Sequence, residues 1–265
     1  MKLEILEWIS EEKKKKSELL FVHGANHGAW CWQENFLPYF CSNGFSSYAL
    51  SFRGHGGSDG QEQLNSYTMD DYMEDVLEVV RNMKDKPVLV GHSMGGAVVQ
   101  KILYLHSKKI SAAILMSSIP ANGISKKYIF KYCLGFFKKV LLPSIFLGGK
   151  FGNNLKEYMG KTLFLERLPD KKREELTSRI QPESKIVKKE MFKRVVPNAN
   201  GVKIPVLVLG SESDLIISEK DLIFTGKAYN TKPLIFQNLC HDMMLDPDWR
   251  LVADEILVFL NGLQN

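Results

Sequence analysis

One hydroxyl, Ser93, stands at the centre of Gly91-His92-Ser93-Met94-Gly95, with the apolar run Val88, Leu89, Val90 directly before it. Helical apolar spacing follows through Ile102 and Leu105. A serine hydroxyl attacks a carbonyl at neutral pH only when a base takes its proton and a third group orients that base. Glycines two residues either side let strand and helix approach closely around a strained backbone. The helix start also points unsatisfied N–H groups at the same spot. The spacing predicts nucleophilic acyl chemistry at Ser93.

The base comes from six histidines, His23, His27, His55, His92, His106 and His241. His92 lies inside the turn and cannot fold back onto its neighbour, while His106 falls late in the helix, toward its surface. His241 follows the last apolar run, at a strand's carboxyl end, where open α/β sheets place their ligands. The orienting acid has to come from a neighbouring strand end. Asp214 is preferred there over Glu212, and Asp242 is disfavoured because it adjoins the base. A developing oxyanion needs two backbone donors. Met94, first in the helix, supplies one, and Ala25, after the tight turn His23-Gly24, supplies the other.

The elements that must carry these groups read as an alternation of apolar runs and helical segments. Residues 2–9 read as an edge strand, with a solvated turn at 11–16, and further strands follow at 19–22, 46–52, 88–90, 110–116, 206–209 and 234–236. Helices are expected near 36–41, 69–83 with Thr68 as its cap, 219–229 and 248–260. That alternation predicts an α/β fold with a mostly parallel sheet covered on both faces. The length of 265 residues and 45% hydrophobic content suffice for one large core.

Charge divides the chain. Residues 121–200 hold 18 Lys+Arg against 7 Asp+Glu, a net of +11, so the remainder carries 5 − 11 = −6. This stretch reads as a separate helical layer. The overall charge of +5 is too mild to imply nucleic acid. No apolar run approaches the roughly 20 residues of a membrane span, and no export signal is visible. Cys31, Cys41, Cys133 and Cys240 lack paired spacing and read as free thiols of a reducing cytosol, so a cytoplasmic protein is expected. No histidine–carboxylate group has metal-ligand spacing, and no phosphate-cradling glycine loop is present, so neither metal nor cofactor is expected.

The His23-Gly24 loop, Arg53-Gly54-His55-Gly56-Gly57-Ser58, the Gly-His-Ser-Met-Gly-Gly elbow and His241-Asp242-Met243-Met244-Leu245 together resemble the α/β-hydrolase superfamily over essentially the whole chain. The nucleophile–acid–base order Ser93, Asp214, His241 fits that superfamily. Residues 23–32 are more particularly similar to the plant methylesterase and hydroxynitrile-lyase branch. The lyases of that branch carry a threonine where Gly24 stands and a lysine directly after the histidine, where this chain has Asp242, and these departures argue for hydrolysis.

The resemblance implies a core of residues 1–119 and 201–265, with a cap at 120–200 roofing the site. The expected activity is that of a serine esterase on small or medium-chain apolar carboxylic esters, through an acyl-enzyme. Part of the cap's apolar stripe is then expected to line the substrate's path, with Phe136 and Phe137 as the substrate contacts. The cap's basic rim could hold the enzyme against membrane lipid. Alternatives are a lyase or cofactor-free C–C bond enzyme with the same triad, a thioesterase- or lysophospholipase-like activity, and, furthest off, a ligand-binding receptor. The oligomeric state cannot be read.

Overall fold

The fold is that of a computed structural model, which describes residues 1–11, 17–125, 134, 137–141, 151–199 and 201–264. Seven strands form one sheet: β1 (Ile5–Trp8), β2 (Leu19–Val22), β3 (Ser47–Leu50), β4 (Val88–His92), β5 (Ala112–Met116), β6 (Val206–Ser211) and β7 (Leu234–Phe236). Their spatial order is β1-β3-β2-β4-β5-β6-β7; β1 runs antiparallel at one edge and every other pairing is parallel.

The continuous apolar runs follow from burial on both faces. Leu19, Phe21, Val88, Val90, Ala112 and Ile114 face a core built with Trp32, Phe36, Phe40 and helix α9 (Trp249–Gly262). Alternate residues Leu20, Val22, Leu89, Ala113 and Leu115 face the opposite core, with α3 (Met69–Asn82) and α4 (Met94–His106). Two helices the chain carries before β3 are α1 (Trp30–Gln33), which the sequence did not announce, and α2 (Phe36–Ser42). Thr68 caps α3 in a reciprocal box with Asp71, as its position suggests.

Between β5 and β6 the described residues form α5 (Phe151–Phe164), α6 (Asp170–Ser178) and α7 (Lys185–Glu190); α8 (Glu219–Ala228) follows β6. This inserted segment is tied to the sheet domain by polar contacts. Arg167 grips Asp246 and Asp248, Lys172 reaches Glu34 at 2.8 Å, and the Ser184 hydroxyl donates to the Tyr67 carbonyl at 2.7 Å. No helix among the described residues is long and apolar enough to cross a membrane.

The six parallel strands deliver their carboxyl ends to one side of the sheet. The chain leaves β2 toward β3 and returns to β4 on β2's other flank, so the sheet's switch point lies between β2 and β4. Val22 pairs with Gly91 across that point, which sets the loop holding Ala25 beside the turn holding Ser93.

Candidate active site

Ser93 sits between β4 and α4 at φ 51° and ψ −114°, a conformation an L-residue adopts only under constraint. The constraint is backbone packing. A Cβ added at Gly95 would lie 2.4 Å from the carbonyl oxygens of both Val22 and His23, and one at Gly91 would lie 2.7 Å from Gly95 O. Ser93 is anchored by its own amide, which donates to Met116 O at 3.0 Å, and by its carbonyl, which accepts from Ile119 and Ala97. Its hydroxyl makes no hydrogen bond among the described residues and faces a cavity of about 620 Å³.

His241, after β7, lines the same cavity, and its Nδ1 lies 2.7 Å from Asp214 Oδ2. Asp214, after β6, is presented by its own turn: its Oδ1 accepts from the amides of Ile216 (2.7 Å) and Ile217 (3.0 Å), leaving Oδ2 for the imidazole. Glu212 is exposed, and of the two acids Asp214 is the one in contact with His241. With Nδ1–H given to Asp214, the free Nε2 of His241 is the nitrogen available to Ser93. Burial alone would depress the His241 pKa, but the Asp214 charge and hydrogen bond outweigh it and raise it above the ordinary imidazole value.

His92 holds this histidine by its backbone: Nε2–H donates to His241 O at 3.0 Å. Burial, with His241 close by, lowers the His92 pKa to about 3, so it works as a neutral donor. The sequence reading placed His92 beyond reach of its neighbour and missed this use across the site. Gly24 leaves room for it; a Cβ there would lie 2.8 Å from His92 Nδ1 and 3.2 Å from Ser93 Cβ. His23 is neutral as well, since the Phe52 amide donates to its Nε2 at 3.1 Å and burial drives its pKa well down.

Ala25 lines the cavity beside Ser93, and no group among the described residues accepts from its amide. Met94 is the first residue of α4, where amides lack an intrahelical partner. Of the two expected donors, Ala25 lines the cavity with Ser93, while Met94 follows Ser93 in the chain and is not among the lining residues.

The sequence missed a second layer of ionisable groups. His27 Nε2 lies 2.9 Å from Asp242 Oδ2 with both side chains buried. Glu183, in the inserted segment, accepts at once from Tyr72 Oη (2.6 Å), Ser184 N (2.8 Å), His55 Nε2 (3.1 Å) and Asn26 N (3.3 Å). Burial would raise its pKa, but those donors hold the carboxylate below its ordinary value. His92, His241 and Asp242 also bring ligand-type atoms within 4.8 Å of one another. His92 Nε2, His241 Nδ1 and Asp242 Oδ2 are engaged with the His241 carbonyl, Asp214 and His27 respectively, while His92 Nδ1 and Asp242 Oδ1 have no hydrogen-bond partner among the described residues.

The apolar walls differ from those expected. Phe137 is 47% exposed and walls no part of the cavity, because Val140 is the residue its short π-helical turn buries. Phe136 lies outside the described residues, as does most of the basic stretch 126–150. Among the described residues the apolar walls include Ile124, Leu155, Met159, Leu163, Met191 and Phe192. Leu155, Met159 and Leu163 fall at i, i+4 and i+8 on α5, a stripe visible in the sequence but passed over for the aromatic pair.

A family model described as serine aminopeptidase, S33 (Hydrolase_4) matches residues 13–248. Methylesterase 3 of Arabidopsis thaliana is 26% identical over 197 residues, which are 69% of this chain and 72% of that protein. Epoxide hydrolase 3 of Xenopus tropicalis is 26% identical over 148 residues, 51% of this chain and only 40% of that protein's length. Among solved structures, the monoacylglycerol lipase of Paleococcus ferrophilus superposes with a TM-score of 0.74 at 20% identity, covering 99% of this chain and all of that one.

Proposed function

Because the chain belongs to the serine aminopeptidase, S33 family of α/β-hydrolases, we propose that it hydrolyses carboxylic esters through an acyl-enzyme. Ser93 Oγ attacks the carbonyl carbon and His241 Nε2 takes its proton. The imidazolium that forms is held in place and stabilised by Asp214. The amides of Ala25 and Met94 donate to the oxyanion. Collapse expels the alcohol, which receives the proton from His241, and water activated by the same nitrogen then releases the acid. The observation that carries this reading is the 2.7 Å contact of His241 with Asp214 at the cavity where the strained Ser93 is presented.

Cavity chemistry narrows the substrate. Asp242 is the lone carboxylate lining it among the described residues, and that group is bound to His27. A substrate's free α-ammonium would meet no carboxylate whose charge is not already paired with His27, which favours esters over N-terminal peptides. Apolar walls suit an acyl chain of several carbons, each buried methylene being worth roughly 0.8 kcal/mol. Gly24 speaks against the lyase alternative, because a threonine Cβ there would press on His92 and Ser93. Residues 120–200 act as the cap in this reading, and their positive charge favours acidic or lipid-borne substrates.

A fluorophosphonate probe together with p-nitrophenyl esters of graded length tests the proposal. Labelling at Ser93 and turnover of at least one ester are expected, both lost in Ser93→Ala. Turnover that survives in Ser93→Ala would refute it.

A further inference from the structure

The acyl transfer above leaves His27 and Asp242 unused, although both line the cavity. His27 Nε2 meets Asp242 Oδ2 at 2.9 Å, and His27 Nδ1 meets the Ala25 carbonyl at 2.8 Å. A carboxylate and a carbonyl both accept, so the ring satisfies them together only with a proton on each nitrogen. The two side chains are 1% and 0% exposed, so this is an ion pair shut away from water. Breaking one member of such a pair strands a buried charge.

The pair joins the parts of the site that must stay in register. His27 pins the carbonyl of Ala25, whose amide is the oxyanion donor of the proposed mechanism. Asp242 follows His241 directly, and its amide donates to Leu163 O of α5 at 3.3 Å. Asp242, the Ala25 carbonyl and, farther off, the Glu183 carboxylate favour the imidazolium, whereas burial opposes it; its charge in turn disfavours protonation of His23, His92 and His241. Trp30 stacks on the ring at 5.3 Å, with the Arg179 guanidinium 4.3 Å from the Trp30 centroid, and the Cys31 thiol, kept protonated by burial, lies near Asp242. The balance leaves His27 raised above the ordinary imidazole value and Asp242 lowered below the ordinary carboxylate value.

We propose that the His27 imidazolium and Asp242 carboxylate form a positioning pair that locks the Ala25 loop against the His241 loop, and that loss of the second His27 proton in alkaline solution frees Ala25 and slows acyl transfer. The proposal rests on the esterase reading for its kinetic consequence and on geometry alone for the charge state.

Two measurements test it separately. In protein with nitrogen-15-labelled histidine, His27, assigned by difference from His27→Gln or by sequential assignment, should show two protonated ring nitrogens at pH 7. A neutral ring there overturns the pair whatever the ester results. With p-nitrophenyl butyrate at saturation, wild-type kcat should fall on an alkaline limb while circular dichroism stays constant. Folded His27→Gln should lose that limb and run about 10- to 100-fold slower at all pH, short of the roughly 100- to 1,000-fold loss of an oxyanion donor itself, with KM within about threefold. Asp242→Asn should show the same pattern if His27→Gln does not fold. A folded variant that keeps wild-type kcat, or keeps the alkaline limb, overturns the proposal. An active site that turns over no ester, with a doubly protonated His27, indicts the esterase reading instead.

Discussion

At the scale of single residues, proton position decides the chemistry. In the proposed mechanism His241 must be neutral at Nε2 to accept from Ser93, and its pKa is raised by Asp214 against the pull of burial. The sign follows: kcat/KM should climb with pH through an apparent value above the ordinary imidazole pKa of about 6.5. The same shift means that the His241–Asp214 pair contributes stability fully below about pH 6.5, lost as pH rises through the raised value. Activity and this part of stability therefore run in opposite directions across that window. Asp214→Asn should cost about 10⁴-fold in kcat, the figure known for the same change in the serine protease triad, while Glu212→Gln should leave it unchanged; steady-state kinetics of the two variants checks this. Ser93, Asp214 and His241 were legible in the sequence because each follows an apolar strand, which puts it on the one edge where strand ends meet. The His27–Asp242 pair was not legible, since its members lie 215 positions apart and nothing local ties them.

Elements hold the residues, and α4 meets the end of β2 backbone against backbone. Gly95 meets two backbone carbonyl oxygens at distances no Cβ tolerates, and backbone cannot swing aside as a side chain can. Gly95→Ala should therefore destabilise the fold by about 1–3 kcal/mol, the usual cost of overpacking, or more, read as a lower urea midpoint at unchanged slope. Glu183 plays the corresponding part for the inserted segment, drawing α3 and the loops after β2 and β3 onto one buried carboxylate. Glu183→Gln keeps the shape but turns an acceptor into a donor, and should cost about 1–3 kcal/mol. A larger loss of activity than of stability would show the segment also aligns the site. Elements of the sheet were predictable from apolar runs, and α3 from its cap. The short α1 was not, since four residues, Trp30 to Gln33, give no periodicity to read. Likewise Glu183 shows in the sequence as one acid among many lysines; burial created its role.

For the molecule as a whole, Ser93, Asp214 and His241 each follow a strand of the sheet, and among the described residues the segment between β5 and β6 supplies most of the cavity's apolar wall. Chain-length preference should therefore be set by α5 and the end of α7. We expect kcat/KM to rise from acetyl toward medium-chain p-nitrophenyl esters, with Met159→Ala or Met191→Ala shifting the profile and Phe137→Ala leaving it unchanged. A flat profile in the wild type would remove the cavity walls from specificity. The charge division between segment and core was readable by counting, but which apolar face of the segment turns toward the cavity shared with Ile216 and the His241 loop depended on the tertiary fold.

Covalent acylation of Ser93 can be seen directly. Wild-type protein mixed with p-nitrophenyl butyrate and quenched in acid within the first turnovers should yield intact protein heavier by one butyryl group. Peptide mapping should place that mass on Ser93, with accumulation enhanced in Asp214→Asn if deacylation slows more than acylation. An ester turned over steadily with no acyl mass on any residue, or with the mass on a residue other than Ser93, would contradict the account.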